Sequence, residues 1–385
     1  MDSNAAATRE NDRIHFQHLD VVRFIAAFMV VIVHSYEAWC GWFGQVGSLS
    51  GETYTDLTKG GKLVDQFLRN LGMGVDVFFL ISGFLITYIL LEEKKRTGSI
   101  SIVKFMTRRA LRIWPLYFLL IALTPMLINW VEEPAPNYMA TIFFVNNFDT
   151  IHSQKWAYPF AHFWSICIEE HFYLVWPFII AFIPRKRLLP VFTLLILSSI
   201  IFRIYTWYAD PYPWYTIFLH TLSRIDVIVI GAIGAYFYSE KQFEFKLSRL
   251  LRLVLFAILI CSLAIEQEVL WNSPFLAGFK KYFYIGIISV LLLDYNFNPV
   301  YKHRLRQKSF VHYLGKISYG IYMYSNILLL IIIKKVMPIC DIKNMYLYFL
   351  MVFGLSIVIP IISYELIEKH ILKLSKRFRV VKTER

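Results

Sequence analysis

The chain has 385 residues, of which 57% are hydrophobic and only 17% charged, with a mean hydropathy of +0.51. Soluble domains carry roughly 25% charged residues, so this composition excludes an ordinary soluble enzyme and predicts a protein built for lipid. The net charge of +13 would suit a nucleic acid, but its concentration in one set of loops accounts for it with no nucleic-acid partner.

Residues Met1–His18 are polar and lack the basic start, apolar core and small-residue cleavage site of a signal peptide, so a cytoplasmic tail is expected there. Ten apolar stretches long enough to cross a bilayer follow, at 19–39, 73–91, 111–130, 163–183, 188–207, 217–238, 249–265, 281–295, 314–333 and 345–367. Tyr138–Phe148 is also apolar, but at about 11 residues it is too short to cross and suits a re-entrant or interfacial segment. No 20–50-residue repeat or linker divides the chain. The expectation is an all-α, polytopic integral membrane protein: one membrane domain over 19–371, then a basic cytoplasmic tail at 372–385 with no soluble domain beyond it.

The basic residues set the orientation. With the N-terminus inside, cytoplasmic segments hold 28 of the 40 Lys and Arg residues, and external segments hold nine, Arg69, Lys281 and Lys334 among them. Basic loops resist translocation, so both termini are expected to be cytoplasmic. The four cysteines, Cys40, Cys167, Cys261 and Cys340, have neither CxxC nor metal-ligand spacing, so no metal site or disulfide scaffold is expected. Cys40 and Cys340 fall near one predicted membrane face, where a single bond would fit.

Charges inside spans cost about 2.5–3.5 kcal/mol each on insertion scales, which makes each one a functional candidate. At a rise of 1.5 Å per residue, His34 lies about 7–8 Å from the outer end of its span. Glu169, Arg203 and Arg224 come out at roughly 6–10 Å, Asp226 about 3 Å deeper, and Asp76 shallower. The plain alternative is a pair of structural ion bridges, Arg224–Asp226 and Glu169–Arg203. The common depth favours a polar cavity open to the outside.

In LDVVRFIAAFMVVIVH, Arg23 precedes His34 by eleven positions. Eleven steps of about 100° return to within roughly 20° of the same face, with a rise of about 16–17 Å. One helix stripe thus carries a cation near the cytoplasmic mouth and an imidazole near the outer cavity. Asp20 stands three residues before Arg23, and Glu37 three after His34, in position to pair with each. Standing alone, Arg23 would pass for a snorkelling anchor and His34 for a packing residue. In FMTRRALRIWPLY, Arg109 and Arg112 share a face, and their planar forks suit phosphate oxygens; membrane anchoring is the bland reading. Trp114 and Pro115 read as interface belt and helix entry.

Together these segments resemble the acyltransferase-3 family of integral membrane O-acyltransferases, which modify bacterial surface glycans and other exported molecules. The resemblance runs from about Leu19 to Ile371. LDVVRFIAAFMVVIVH is similar to the family's Arg-x10-His segment, GVDVFFLISGFLIT to its second span and RRALRIWPLY to its Arg-x-x-Arg motif. FWSICIEEHFYLVWP resembles its Trp-Ser…Glu…Phe-Tyr segment, and SRIDVIVIGA its Arg-x-Asp…Gly stretch. Two positions depart: SYGIYMYS has Ser325 where the family often has His, and IEKH has His370 where proline is common.

The resemblance implies a bacterial cell-membrane enzyme with no permanently bound cofactor. Its donor would be acyl-CoA, often acetyl-CoA, and its acceptor a hydroxyl on a carbohydrate or lipid-linked glycan. Arg23, Arg109 and Arg112 would bind the donor. His34 would be the catalytic imidazole, as general base or as a transient acyl carrier, with Glu169 and Asp76 as further catalytic carboxylates. Glu37, Arg224 and Asp226 would line the cavity. The rival reading is a proton-coupled transporter using the same intramembrane groups.

Overall fold

The computed structural model describes residues 17–42, 59–156, 158–239, 245–264, 273–297 and 310–378. Most of the expected N-terminal tail, Glu52 and the last residues of the C-terminal tail lie outside them. Every regular element among the described residues is a helix. In chain order these are α1 (Gln17–Trp42), α2 (Lys59–Asn70), α3 (Gly74–Thr97), α4 (Ile102–Val131), α5 (Tyr138–Ile142) and α6 (Asn146–Ser153). There follow α7 (Trp164–Phe182), α8 (Arg185–Ala209), α9 (Pro213–Leu219), α10 (Thr221–Tyr238), α11 (Arg249–Ser262) and α12 (Pro274–Phe297). The chain closes with α13 (Phe310–Lys316), α14 (Ser318–Ile331), α15 (Met337–Cys340), α16 (Met345–Ser363) and α17 (Lys369–Ser375).

Eight helical stretches among the described residues are long and apolar enough to cross a membrane. They account for eight of the ten expected spans. The other two, 249–265 and 281–295, correspond to the 14-residue α11 and the 24-residue α12. At 1.5 Å per residue α11 is about 21 Å long, short of a roughly 30 Å hydrocarbon core. It buries none of its residues.

Local chemistry fixes several helix ends. The Ser248 hydroxyl accepts the Leu251 N–H at 3.1 Å to start α11, and the Asn344 side chain accepts that of Leu347 at 3.0 Å to start α16. Gly98, at φ +76°, ends α3 in the left-handed conformation, its N–H bonded to the Lys94 carbonyl at 2.9 Å. Pro115 does not mark a helix entry. α4 begins at Ile102, so the proline and both arginines of the motif sit well inside a 30-residue helix.

α3 is the central element: its most apolar window is 83% buried, against 22% for that of α8 at the periphery. It crosses α10 at backbone contact. A Cβ added to Gly83 would lie 1.8 Å from the Ile228 carbonyl oxygen, and one on Gly231 2.0 Å from that of Leu80. Helices in lipid gain attraction through such close approach, because apolar side chains gain little by leaving acyl chains. Gly74 seats α3 against α1 in the same way, with a Cβ position 2.5 Å from the Ala26 oxygen.

The basic segments gather at one end of the bundle. Lys94 donates to the carbonyls of Ile180 and Ala181 at 2.8 and 2.9 Å, Arg108 to that of Phe378 at 2.7 Å, and Arg185 to the Ser239 hydroxyl at 2.6 Å. Tyr138–Phe148 does not cross. It forms α5 and the start of α6, held where the Tyr117 hydroxyl donates to the Thr141 carbonyl at 2.7 Å and the Asn147 amide to that of Leu219 at 3.2 Å.

Candidate active site

α1 and α4 bring three arginines together towards the basic end. Arg23, Arg109 and Arg112 lie within electrostatic reach of one another, as the common stripe on α1 and the i, i+3 spacing on α4 require. Arg23 bonds Asp20 at 3.1 Å, as expected; the far oxygen of Asp20 meets His312 at 3.3 Å. Arg109 stacks over the rings of Phe105 and Tyr173 at 5.6 and 5.7 Å, and its Nε is buried without a hydrogen-bond partner. Among the described residues Arg112 makes no hydrogen bond or ion pair; its carboxylate neighbours are Glu169 and Glu368. Glu368 ends a π-helical turn, Tyr364–Glu368, that packs beside α4. Like charges gathered in a low-dielectric setting repel, so such a cluster is stabilised by an anion that fills it.

Glu169 belongs to this end, a correction to the expected outer layer. It accepts from the Tyr173 hydroxyl at 2.6 Å and the Ser82 hydroxyl at 3.0 Å, and faces Arg112 and Arg23 rather than the outer cavity. Depth counted from the start of a span fails here because α7 enters after a buried 3-10 turn, Ala161–Phe163, which carries Glu169 further in.

At the other end of α1 lies a cavity of about 1040 Å³ lined by His34, Asp76, His162, Arg224 and Asn326. Of the intramembrane charged and imidazole groups that suggested a cavity, His34, Asp76, Arg203 and Arg224 line it, on a wall that is otherwise mostly apolar. His34 is partly buried, with an unpartnered Nδ1 and Asn326 as its hydrogen-bonding neighbour. Glu37 does not orient the ring. It is half-exposed at the rim, 3.9 Å from Arg69, which is itself tied to Asp65 at 3.0 Å. The arm from α2 wins because Arg69 supplies a full charge, whereas a neutral imidazole offers none.

The remaining charges do not form the two ion bridges of the plain alternative. Arg224 bridges to Asp76 at 3.1 Å, and Asp76 also accepts from the Tyr284 hydroxyl at 2.6 Å. Arg203 bridges to Asp226 at 2.8 Å and donates to the carbonyls of Ser223 and Gly278 at 2.6 and 2.8 Å. Asp226 further takes Lys281 at 2.7 Å and the Tyr282 hydroxyl, so it lies fully buried behind the cavity and does not line it. Arg224 and Asp226 are two residues apart on one helix and face different neighbours. Their true partners come from α3, α8 and α12, which no local spacing reveals. Lys281, counted as external by sequence, is buried in this network.

Sequence reasoning missed His162 and Asn326. His162 directly precedes the Phe163–Trp164–Ser165 stretch, and it is 1% exposed and bonded to the Met323 carbonyl at 3.1 Å. Asn326 follows Ser325, whose hydroxyl merely donates to the Tyr322 carbonyl at 2.7 Å. The available signal was polarity inside apolar runs, which the search for charges passed over.

A helical bundle with a partly buried guanidinium cluster and an imidazole-lined cavity, both on a single helix, defines a multi-pass membrane protein with two polar sites. The chain belongs to the acyltransferase-3 family, whose acyltransferase domain matches residues 16–365. It is similar to the O-acetyltransferase OatA of Staphylococcus aureus in strains NCTC 8325 / PS 47, COL and MRSA252. Each is 27% identical over 285 aligned positions, covering 67% of this chain and 46% of the relative. The chain thus spans less than half the length of these relatives. No solved structure matches it.

Proposed function

We propose that the protein is a membrane O-acyltransferase, most simply an O-acetyltransferase, as its relatives are named. It takes the acyl group from acyl-CoA at the arginine end and delivers it to a carbohydrate hydroxyl in the cavity. Ten spans with both termini cytoplasmic would make the donor side cytoplasmic and the cavity external, in a bacterial cell membrane. The observation that carries this reading is α1 itself. Arg23 stands in a guanidinium cluster with Arg109 and Arg112, and His34 stands in the cavity roughly 16 Å further along the same helix. The CoA phosphates would dock on Arg23, Arg109 and Arg112, and the pantetheine arm would span the interval and present the thioester carbonyl to His34.

His34 suits either of two roles, base on the acceptor hydroxyl or carrier of the acyl group. Asp76 is held by Arg224 and Tyr284, which fits a cavity wall better than a proton acceptor. The same pairing weighs against a proton-coupled transporter, whose relay needs carboxylates free to titrate.

The test is thioester consumption. Purified full-length protein given acetyl-CoA is expected to release free CoA, read with a thiol reagent. His34→Gln, which can hydrogen-bond but cannot act as base or carrier, is expected to release none while still binding CoA. CoA release at the parental rate in His34→Gln would remove His34 from the chemistry.

A further inference from the structure

Two imidazoles face this cavity, and only His34 has a role in the reading above. His162 is 1% exposed, and its Nε2 lies 3.1 Å from the Met323 carbonyl oxygen. A carbonyl only accepts, so Nε2 carries the ring proton and Nδ1 of the neutral ring carries a lone pair. That Nδ1 is buried without a partner, and so is the Nδ1 of His34. The two rings line the same cavity and lie within electrostatic reach of each other. The protein holds His162 firmly: the Tyr322 hydroxyl donates to its backbone carbonyl at 2.9 Å, and the ring packs edge-on to Tyr322 and Phe163 at 5.3 and 4.9 Å. Ser165 braces Tyr322 in turn through a 2.6 Å hydroxyl contact. A buried lone pair left empty is costly, and around 90% or more of buried polar groups avoid that state. Here the Met323 carbonyl, Tyr322 and Phe163 fix the ring with no protein partner at Nδ1.

We infer that His162 is a second catalytic residue, the base that takes the proton of the acceptor hydroxyl at Nδ1, and that His34 is the acyl carrier. A lone pair on one nitrogen, with the other anchored to a fixed acceptor, is the arrangement that holds a general base in its working tautomer. The inference rests on the proposed acyl transfer and assigns its two steps. In the first, a His34 ring nitrogen attacks the thioester carbonyl. The N–C bond forms, the C–S bond breaks, and the departing thiolate takes the proton shed by the other His34 nitrogen, leaving as CoA thiol. In the second, the acceptor oxygen attacks the acyl carbon as its proton passes to Nδ1 of His162. The C–N bond breaks, its electron pair returns to His34, and His162 hands the proton back to that ring. The balance is acyl-CoA plus alcohol to ester plus CoA thiol.

The experiment uses the detergent-solubilised full chain, [14C]acetyl-CoA and water as the acceptor. The parent is expected to release CoA continuously. His162→Gln keeps a donor for the Met323 carbonyl but has no basic Nδ1. It is expected to release about one CoA per chain, then turn over some 10²–10⁴-fold more slowly, the contribution typical of a general base. Its label should stay on the protein, map to His34 by peptide mass, and come off with neutral hydroxylamine. His162→Asn places an oxygen near the Nδ1 position without basicity and is expected to behave alike. It also carries the test if the Gln variant fails to fold. Parental turnover in either variant, loss of the first CoA release together with turnover, or label on a residue other than His34 would each overturn the inference. A parent that consumes no thioester would overturn the function proposed above and this inference with it. An active parent with a fully active His162→Gln overturns only the inference.

Discussion

Arg109 and Arg112, both partly buried, differ from the buried cations in what surrounds them. Arg203 spends its donors on Asp226, two carbonyls and a tyrosine, and Arg224 is matched by Asp76. Arg224 shares with Arg109 a buried Nε that has no partner, but it keeps its ion pair with Asp76, whereas neither Arg109 nor Arg112 forms a hydrogen bond or ion pair among the described residues. The first two therefore behave as structure and the second two as a binding site. Arg112→Lys keeps the charge that anchors α4 but loses the planar fork. A lost charge-assisted hydrogen bond is worth about 1.5–3 kcal/mol, so CoA affinity is expected to fall about tenfold or more at unchanged expression. Equilibrium binding of labelled CoA to the purified variant checks this, and parental affinity would reduce Arg112 to an anchor. Asp226→Asn tests the contrasting class. Breaking a buried pair by removing one partner costs about 3–5 kcal/mol, so a marked drop in thermal stability is expected.

Among the elements, the α3–α10 crossing sets the distance between the two sites and the rest of the bundle. Gly83 and Gly231 let the backbones touch, and the same crossing brings Asp76 of α3 to Arg224 of α10. Gly83→Ala forces a methyl to within 1.8 Å of the Ile228 carbonyl oxygen unless the helices separate. Overpacking of this kind costs about 1–3 kcal/mol or more. A lower melting temperature in detergent and weakened CoA release are expected together, since separation also shifts the cavity wall. Gly286→Ala, in α12 with open space around its Cβ position, is the matched control and should leave both unchanged. A Gly83→Ala protein as stable as the control would show that the crossing tolerates a wider gap.

For the whole molecule, the ends of the helices sort by charge. Lys94, Arg108 and Arg185 meet at one end, and the His34 cavity opens towards the other. In a chain whose native cysteines are replaced, Pro211→Cys is expected to react with an impermeant maleimide on intact cells, and Lys186→Cys only after lysis. The reverse pattern would place the arginine cluster outside, where no acyl-CoA pool exists, and would undo the donor assignment along with the topology.

Hydrophobic runs about 20 residues long, the bias of basic residues to alternate loops, and the Arg23–His34 stripe are properties of single segments. The sequence by itself therefore determined the helical class, most of the spans and the two ends of the α1 axis. It also determined Asp20 as the partner of Arg23, because three residues along a helix is a contact. What only the tertiary structure decided is which helices face one another. Asp76 meets Arg224, Arg203 meets Asp226, Glu37 turns to Arg69, and His162 comes to His34 across long stretches of chain. In each case the partner was set by the rotation of a helix about its axis. That rotation is fixed by close-packing glycines and buried ion pairs contributed by other helices, and no periodicity within one helix contains it.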